Sequence, residues 1–284
     1  MVNLAVKSGY RPQASDMSVE IDAYQFFLLR QRTEGERLAM AAKLTKGAKS
    51  LSLLGIKHAK GEHSFDWVKM TFARAVLAEK WQPNLTPIGE DETLWIQDSI
   101  ELARQLHALL ESWEIPYYVT GGVASIAYGE PRTTRDLDLV AEIAPKDITR
   151  LSNALEREGF YCLLGAIEEI QSGRGNVLSV THIETILNAD IIINSNTPFN
   201  QSKMARRRLI AVDPNFSFWV ASPEDVILAK LLWSRLYQSE NQWRDVLGVL
   251  KVQAENLDYG YLAQWADSLG IVHALSQAMT EAGI

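Results

Sequence analysis

The sequence predicts an α/β fold of the α+β kind: a mixed sheet flanked by helices, preceded by an N-terminal helical domain and followed by a C-terminal helical region. Three observations predict it. Helical periodicity dominates residues 16–80, short β-rich apolar runs are interleaved with helical segments between 117 and 193, and helical periodicity returns after Pro198. With 284 residues and 47% hydrophobic content, the chain has enough apolar surface for a well-packed core of one large or two to three smaller domains.

The first helix runs over Val19 to Arg30. The second is capped at Thr33, with Glu36 three residues on, and continues through Leu38 to Leu44. A third, amphipathic, is expected over Ser64 to Lys80. Residues 81–92 hold two prolines and an acidic end, which makes them the best linker in the chain, so the expected domains are 1–92, 93–222 and 223–284. A helix over 93–114 leads to the strand 117–119, the turn Gly121-Gly122 and a short helix Val123 to Tyr128, closed by Gly129-Glu130-Pro131. A strand at 136–143 and a helix from Pro145 to Glu158 follow. Two strands, Phe160 to Leu164 with its continuation and Asn176 to Ile186, are expected to form a hairpin around Ser172-Gly-Arg-Gly-Asn176, and Asp190 to Ile193 completes the sheet. One β-rich segment, Leu209 to Val220, interrupts the helical final third.

Chemistry concentrates in residues 117–140. Gly121 and Gly122 sit at a strand-to-helix turn, where the backbone approaches a ligand closely and the first helical N–H groups, otherwise unpaired, point at an anion. Ser125 offers a hydroxyl there. In Asp136-Leu137-Asp138-Leu139-Val140 the alternation puts both aspartates on one side of a strand and both leucines in the core. Two carboxylates so close repel one another unless a cation lies between them. Asp is also disfavoured in strands. Asp190 opens a buried apolar run and is expected near one strand end. Three such groups on neighbouring strands suit two-metal phosphoryl chemistry. An exposed Asp-x-Asp also serves plain solvation, and Asp190 equally suits pairing with a local arginine.

These residues resemble the nucleotidyltransferase superfamily, in which Gly-Gly or Gly-Ser precedes Asp-x-Asp by a dozen or so residues and a single Asp comes later. The likeness is strongest to the AbiEii-like and minimal nucleotidyltransferases. Their second motif reads Arg-x-Thr-x-Asp-hydrophobic-Asp, and Arg132, Thr134, Asp136, Leu137 and Asp138 stand in those places. Ala221 to Lys230 resembles the fourth motif, a helix with a lysine, with Arg244-Asp245 as its continuation. The resemblance spans about residues 93–250. It departs at Gly122, where many members carry serine, so that backbone replaces a phosphate-binding hydroxyl.

Lys230 stands out without any family. Ser222, Pro223 and Asp225 start a helix in which it is the one charge in the run Val226 to Trp233, so it either snorkels to the surface or meets an anion such as a triphosphate. Asp245 either positions Lys230 or is an ordinary salt-bridge partner.

Residues 1–92 hold 13 Lys and Arg against 11 Asp and Glu, whereas the whole chain has net charge −7. A globally acidic protein is a poor nonspecific nucleic-acid binder. An RNA acceptor therefore needs a local basic face, for which Lys203 to Arg208, Arg132 and Arg135 are candidates; a solvated helix end is the other role of that run. No apolar stretch is long enough to span a bilayer, so no membrane association is expected. The single Cys162 fits a reducing, cytoplasmic compartment, and the five histidines lack zinc-ligand spacing.

The resulting expectation is a Mg²⁺-dependent transferase moving a nucleoside monophosphate from an NTP (ATP among them) to an acceptor hydroxyl on RNA, particularly a tRNA end, or on protein. By resemblance, it belongs among enzymes that include toxins of toxin–antitoxin pairs. Asp136, Asp138 and Asp190 hold metal, Lys230 stabilises charge, and Gly121, Gly122, Ser125, Arg132, Thr134 and Asp245 form the nucleotide site. The alternatives are a nucleotide-binding pseudoenzyme and a helical interaction module whose protein partner docks on residues 1–92.

Overall fold

The computed structural model describes residues 6–59, 61–237 and 239–284. Seven strands and thirteen α-helices are present among them. The chain divides into two compact units, one of residues 40–119 and 132–196, the other of residues 1–39, 120–131 and 197–284. Residues 1–92 therefore contribute to both units.

The first unit is built on five strands: β1 (Tyr117–Val119), β2 (Asp136–Ala141), β3 (Phe160–Cys162), β4 (Val177–His182) and β5 (Leu187–Ile193), in the order β3-β4-β5-β2-β1. Only the β2–β5 pairing within it is parallel; β1–β2, β3–β4 and β4–β5 are antiparallel, so this is a mixed sheet. Leu137, Leu139, Leu178, Val180, Ala189 and Ile191 are buried, as strand alternation requires of one face. The Ser99–Ser112 helix packs on β2 and β5, burying Leu102, Leu106 and Leu110. Asp98 caps its start by accepting from Ile100 N.

A second core in this unit joins Leu53, Val68, Phe72, Leu77, Leu85, Trp95 and Ile186. Ser64 caps the Phe65–Leu77 helix, which ends before the expected Lys80, the last three residues forming a 3-10 turn. The expected linker is packed rather than loose. Leu85 is buried, Ile88 N donates to Ile183 O, and a Cβ on Gly89 would lie 2.3 Å from Glu184 O, so only glycine fits there.

The expected hairpin between β3 and β4 is corrected. The two strands do pair, but the Leu164–Gln171 helix intervenes, and the tight hairpin is β4–β5. The strand read as far as Ile186 stops at His182, because Ile186 takes φ 56° to close the turn. A β-branched residue in that region gives no turn signal in sequence.

The second unit contains the hairpin β6 (Arg208–Asp213) and β7 (Phe216–Val220), the Gly121–Tyr128 helix and the C-terminal helices. The Val19–Arg30 helix begins at the Ser18 cap, and the Thr33–Glu36 capping box forms in both directions. Asp22 and Lys251 form an ion pair at 2.8 Å with both side chains wholly buried. Tyr10 Oη and Gln13 N also donate to the Asp22 carboxylate, and Lys251 Nζ donates to Arg11 O. Such a pair is costly to break from one side, because a buried charge is left uncompensated. Lys251→Met is therefore expected to lower stability by about 3–5 kcal/mol in urea unfolding, and a loss below ~1 kcal/mol would show the pair to be dispensable.

Candidate functional site

The β2–β5 register places Asp138 opposite Asp190 and Asp136 opposite Asn188, and on the other side of β5 sets Ser179 opposite Asp190. Partners in register share a sheet face. One face of three adjacent strands thus carries Asp136, Asp138, Ser179, Asn188 and Asp190, while the leucines and valines between them are buried. The two β2 aspartates are partly exposed in a strand that is otherwise buried. Neighbouring strands lie only about 4.8 Å apart, so these carboxylates feel one another strongly.

Lys80, which no sequence signal marked, joins this face. Its Nζ donates to Asp190 Oδ2 at 2.5 Å, and Ser179 Oγ donates to Asp190 Oδ1 at 2.7 Å. Backbone geometry delivers it: the Phe65–Leu77 helix ends at Ala78, which takes φ 46°, and a 3-10 turn over Ala78–Lys80 redirects the chain. Burial acts to lower the Lys80 pKa, but the hydrogen bond and charge of Asp190, joined by Asp136 and Asp138, outweigh it and leave the ammonium above its ordinary range. Asp136 is pushed up to about 6, first by burial; Lys80 pulls it back, while Asp138 and Asp190 add repulsion.

More positive charge lies in the same unit. Lys49 donates to the Trp95 and Gln97 carbonyls, and Lys46 pairs with Asp98 at 3.1 Å. Burial lowers Lys49 to about 8, against the attraction of Asp98 and Asp136. On the strand's approach, Arg132 Nη1 donates to Thr133 O, and Thr134 Oγ1 donates to Asp136 O at 3.4 Å.

The donor set is all hard carboxylate oxygen, and the mutual repulsion at Asp136 is the charge excess that a hard divalent cation relieves. By donor type alone, the carboxylates of Asp136, Asp138 and Asp190 suit a hard divalent cation. As the side chains stand, however, Asp190 is engaged by Lys80. No three His, Cys, Asp or Glu side chains among the described residues come together closely enough to hold an ion.

In the other unit the Gly121–Tyr128 helix follows Thr120, whose side chain makes no cap bond. Gly121 takes φ 59°, a conformation that glycine supplies without strain. The far end of this helix is fastened. Arg37, 2% exposed, donates from Nε to Ala127 O at 2.8 Å, and Gln253 Nε2 donates to Tyr128 O at 2.9 Å. Ser125 does not extend its hydroxyl proton outward; it is buried and donates to Gly121 O at 2.8 Å. Lys230 does not snorkel. It pairs with Asp245 at 2.7 Å, with side chains 8% and 6% exposed. Arg244 grips Glu130 through both Nε and Nη2 at 3.0–3.1 Å, tying the Glu240–Gln253 helix to the residues after the glycine helix.

The basic run 203–208 is largely engaged internally. Arg206 pairs with buried Glu224 at 3.0 Å and lies over Tyr261, Arg208 approaches Glu224 at 3.7 Å, and Arg207 lies over Trp219.

No family model matches this sequence, and no curated protein matches it. Solved structures do resemble it. An antigenic nucleotidyltransferase-like protein from Paracoccidioides brasiliensis is 19% identical, with 69% of this chain and 95% of that one covered and a TM-score of 0.41. ANT(2")-Ia in complex with adenylyl-2"-tobramycin is 12% identical, with 61% and 97% covered and a TM-score of 0.43. The Thermotoga maritima CCA-adding enzyme complexed with tRNA is 13% identical, with 72% and 55% covered and a TM-score of 0.30.

Lys49 provides a test of the electrostatics. Its folded pKa lies below the ordinary 10.5, so between about pH 8 and 10.5 the unfolded chain binds more protons and stability rises with pH. Lys49→Met is expected to remove roughly 1–3 kcal/mol of that rise, seen as a flatter dependence of urea midpoint on pH. An unchanged slope would show Lys49 to be solvated.

Proposed function

We propose that the protein is a Mg²⁺-dependent nucleotidyltransferase that moves a nucleoside monophosphate from an NTP to an acceptor hydroxyl. The observation that carries this reading is the shared face of β2 and β5, where Asp138 and Asp190 stand side by side in parallel register and Asp136 is raised to about 6. A structural strand does not ordinarily gather such charge.

Asp136 and Asp138, with Asp190, are the residues that would hold Mg²⁺. Bound there, the ion would supply positive charge against a triphosphate. The acceptor oxygen forms a bond to the α-phosphorus as the bond between α-phosphorus and bridging oxygen breaks and pyrophosphate leaves, and Asp190 would help activate the acceptor hydroxyl by taking its proton. Arg132 offsets negative charge, with Thr134 contributing through its contact at Asp136. Taken by itself, the other unit offers the N–H groups of Gly121 and Gly122 at a helix start as anion contacts, while the charge of Lys230 is offset by Asp245. Ser125 acts by fixing the glycine turn, since its hydroxyl donates to Gly121 O.

The acceptor is a hydroxyl-bearing molecule, with RNA and protein both within the reading. Internal pairing of Arg206 and Arg208 weighs against the 203–208 run as a dedicated RNA face. A toxin-like role belongs to the same reading through the motif resemblance. A cytoplasmic setting rests on the single, buried, free Cys162. No helix among the described residues is long and apolar enough to cross a membrane.

The experiment is transfer of label from α-labelled NTPs, with Mg²⁺, to total RNA, lysate protein or small polyhydroxyl acceptors. Asp136→Asn is expected to reduce labelling by about a hundredfold or more, and equal labelling by both proteins would reject the mechanism.

A further inference from the structure

Among the ammonium–carboxylate pairs of the described residues, Lys80–Asp190 differs in kind from Lys251–Asp22 and Lys230–Asp245. Lys251–Asp22 is wholly buried, and Lys251 has a second acceptor in Arg11 O. Lys230–Asp245 is nearly as enclosed. Lys80–Asp190 is not: its side chains are 28% and 15% exposed, and among the described residues Asp190 is the one hydrogen-bond acceptor found for the three donors of Lys80. Water reaches the pair. It is therefore the pair whose partners exchange at least cost, since neither charge would be left buried and unsolvated on separation.

Its placement is nevertheless specific. Ala78 at φ 46° turns the chain, Trp81 N donates to Ala78 O, and Trp81 packs against the Phe72–Trp95 core under the Arg74 guanidinium. Lys80 is thus aimed at the aspartate face by a fixed backbone while its head group stays exchangeable. Between Lys80 and Ser179, both oxygens of Asp190 are engaged.

We propose that Lys80 is an internal counter-cation of the aspartate face, which holds Asp190 in competition with a divalent cation and releases it when the cation binds. This rests on the metal reading of Asp136 and Asp138 and adds to it a regulating residue from outside the motif region. The physical reason is charge exchange: removing the ammonium removes both a competitor for Asp190 and a repulsive charge beside the incoming ion. Metal uptake without nucleotide is thereby kept weak.

The test is Mn²⁺ binding to the full chain by calorimetry and by loss of the free-Mn²⁺ resonance signal, with no nucleotide present. Lys80→Met is expected to bind about tenfold more tightly than the parent, the factor that ~1.4 kcal/mol provides. Lys80→Arg, which keeps the charge, is expected to stay near the parent. Lys80→Gln serves if the Met variant fails to fold. Mn²⁺ should also raise the melting temperature of the charge-less variant more than that of the parent. Equal or weaker binding by the charge-less variant, or tight binding by Lys80→Arg, overturns the proposal. If the parent binds Mn²⁺ and Asp136→Asn does not, while Lys80 substitutions change nothing, this inference falls and the metal reading stands. Absence of Mn²⁺ binding in every variant removes both.

Discussion

Parallel pairing of β2 with β5 is the constraint on which the candidate site depends. Register alone brings Asp138 beside Asp190 and Asp136 beside Asn188, and a shift of one residue would turn every one of these side chains to the opposite face. The register is held by the buried partners Leu137, Leu139, Ala189 and Ile191, which are 0–1% exposed. Hydrophobic burial on one side of the sheet thereby forces carboxylates together on the other. The protein accommodates that repulsion with Lys80 and Ser179, which both donate to Asp190.

The second unit solves a different problem, the rigidity of a short helix with a glycine start. Eight residues make a marginal helix, and Gly121–Tyr128 is stabilised from its surroundings. Arg37 and Gln253 satisfy its last carbonyls, while Glu130 beyond it is gripped by Arg244 and contacted by Gln25. A Cβ on Gly129 would come within 2.8–3.0 Å of backbone atoms of Ser125, Gly248 and Val249, so the Glu240–Gln253 helix packs backbone to backbone there. The Asp22–Lys251 pair fastens the N-terminal segment to the same helix. Residues 10–37 thus serve partly as the frame for the glycine turn, a structural role that sits beside any interaction function of the N-terminal region.

Sequence made the local features legible. Alternation in 136–140 gave the face of Asp136 and Asp138, Ser222 with Asp225 gave the start of the Pro223–Tyr237 helix, and the glycine pair gave the strand-to-helix turn. It failed where geometry is non-local or unusual. Lys80 reaches Asp190 across 110 positions, and the run Ala78-Glu79-Lys80 looks like any frayed helix end. The β4–β5 hairpin escaped because Ile186 occupies the left-handed region without a glycine or asparagine to announce it. Arg206 and Arg208 looked available for a partner because the buried carboxylate of Glu224 that pairs with them lies beyond the β6–β7 hairpin, in the first turn of the next helix.

The most direct measurement is the crystal structure of the full chain with Mn²⁺ and a non-hydrolysable nucleoside triphosphate, using anomalous scattering to locate the ion. The account predicts manganese against Asp136 and Asp138, with the Lys80 ammonium displaced from Asp190. Manganese and nucleotide bound elsewhere, with these aspartates unliganded and Lys80 still on Asp190, would contradict it.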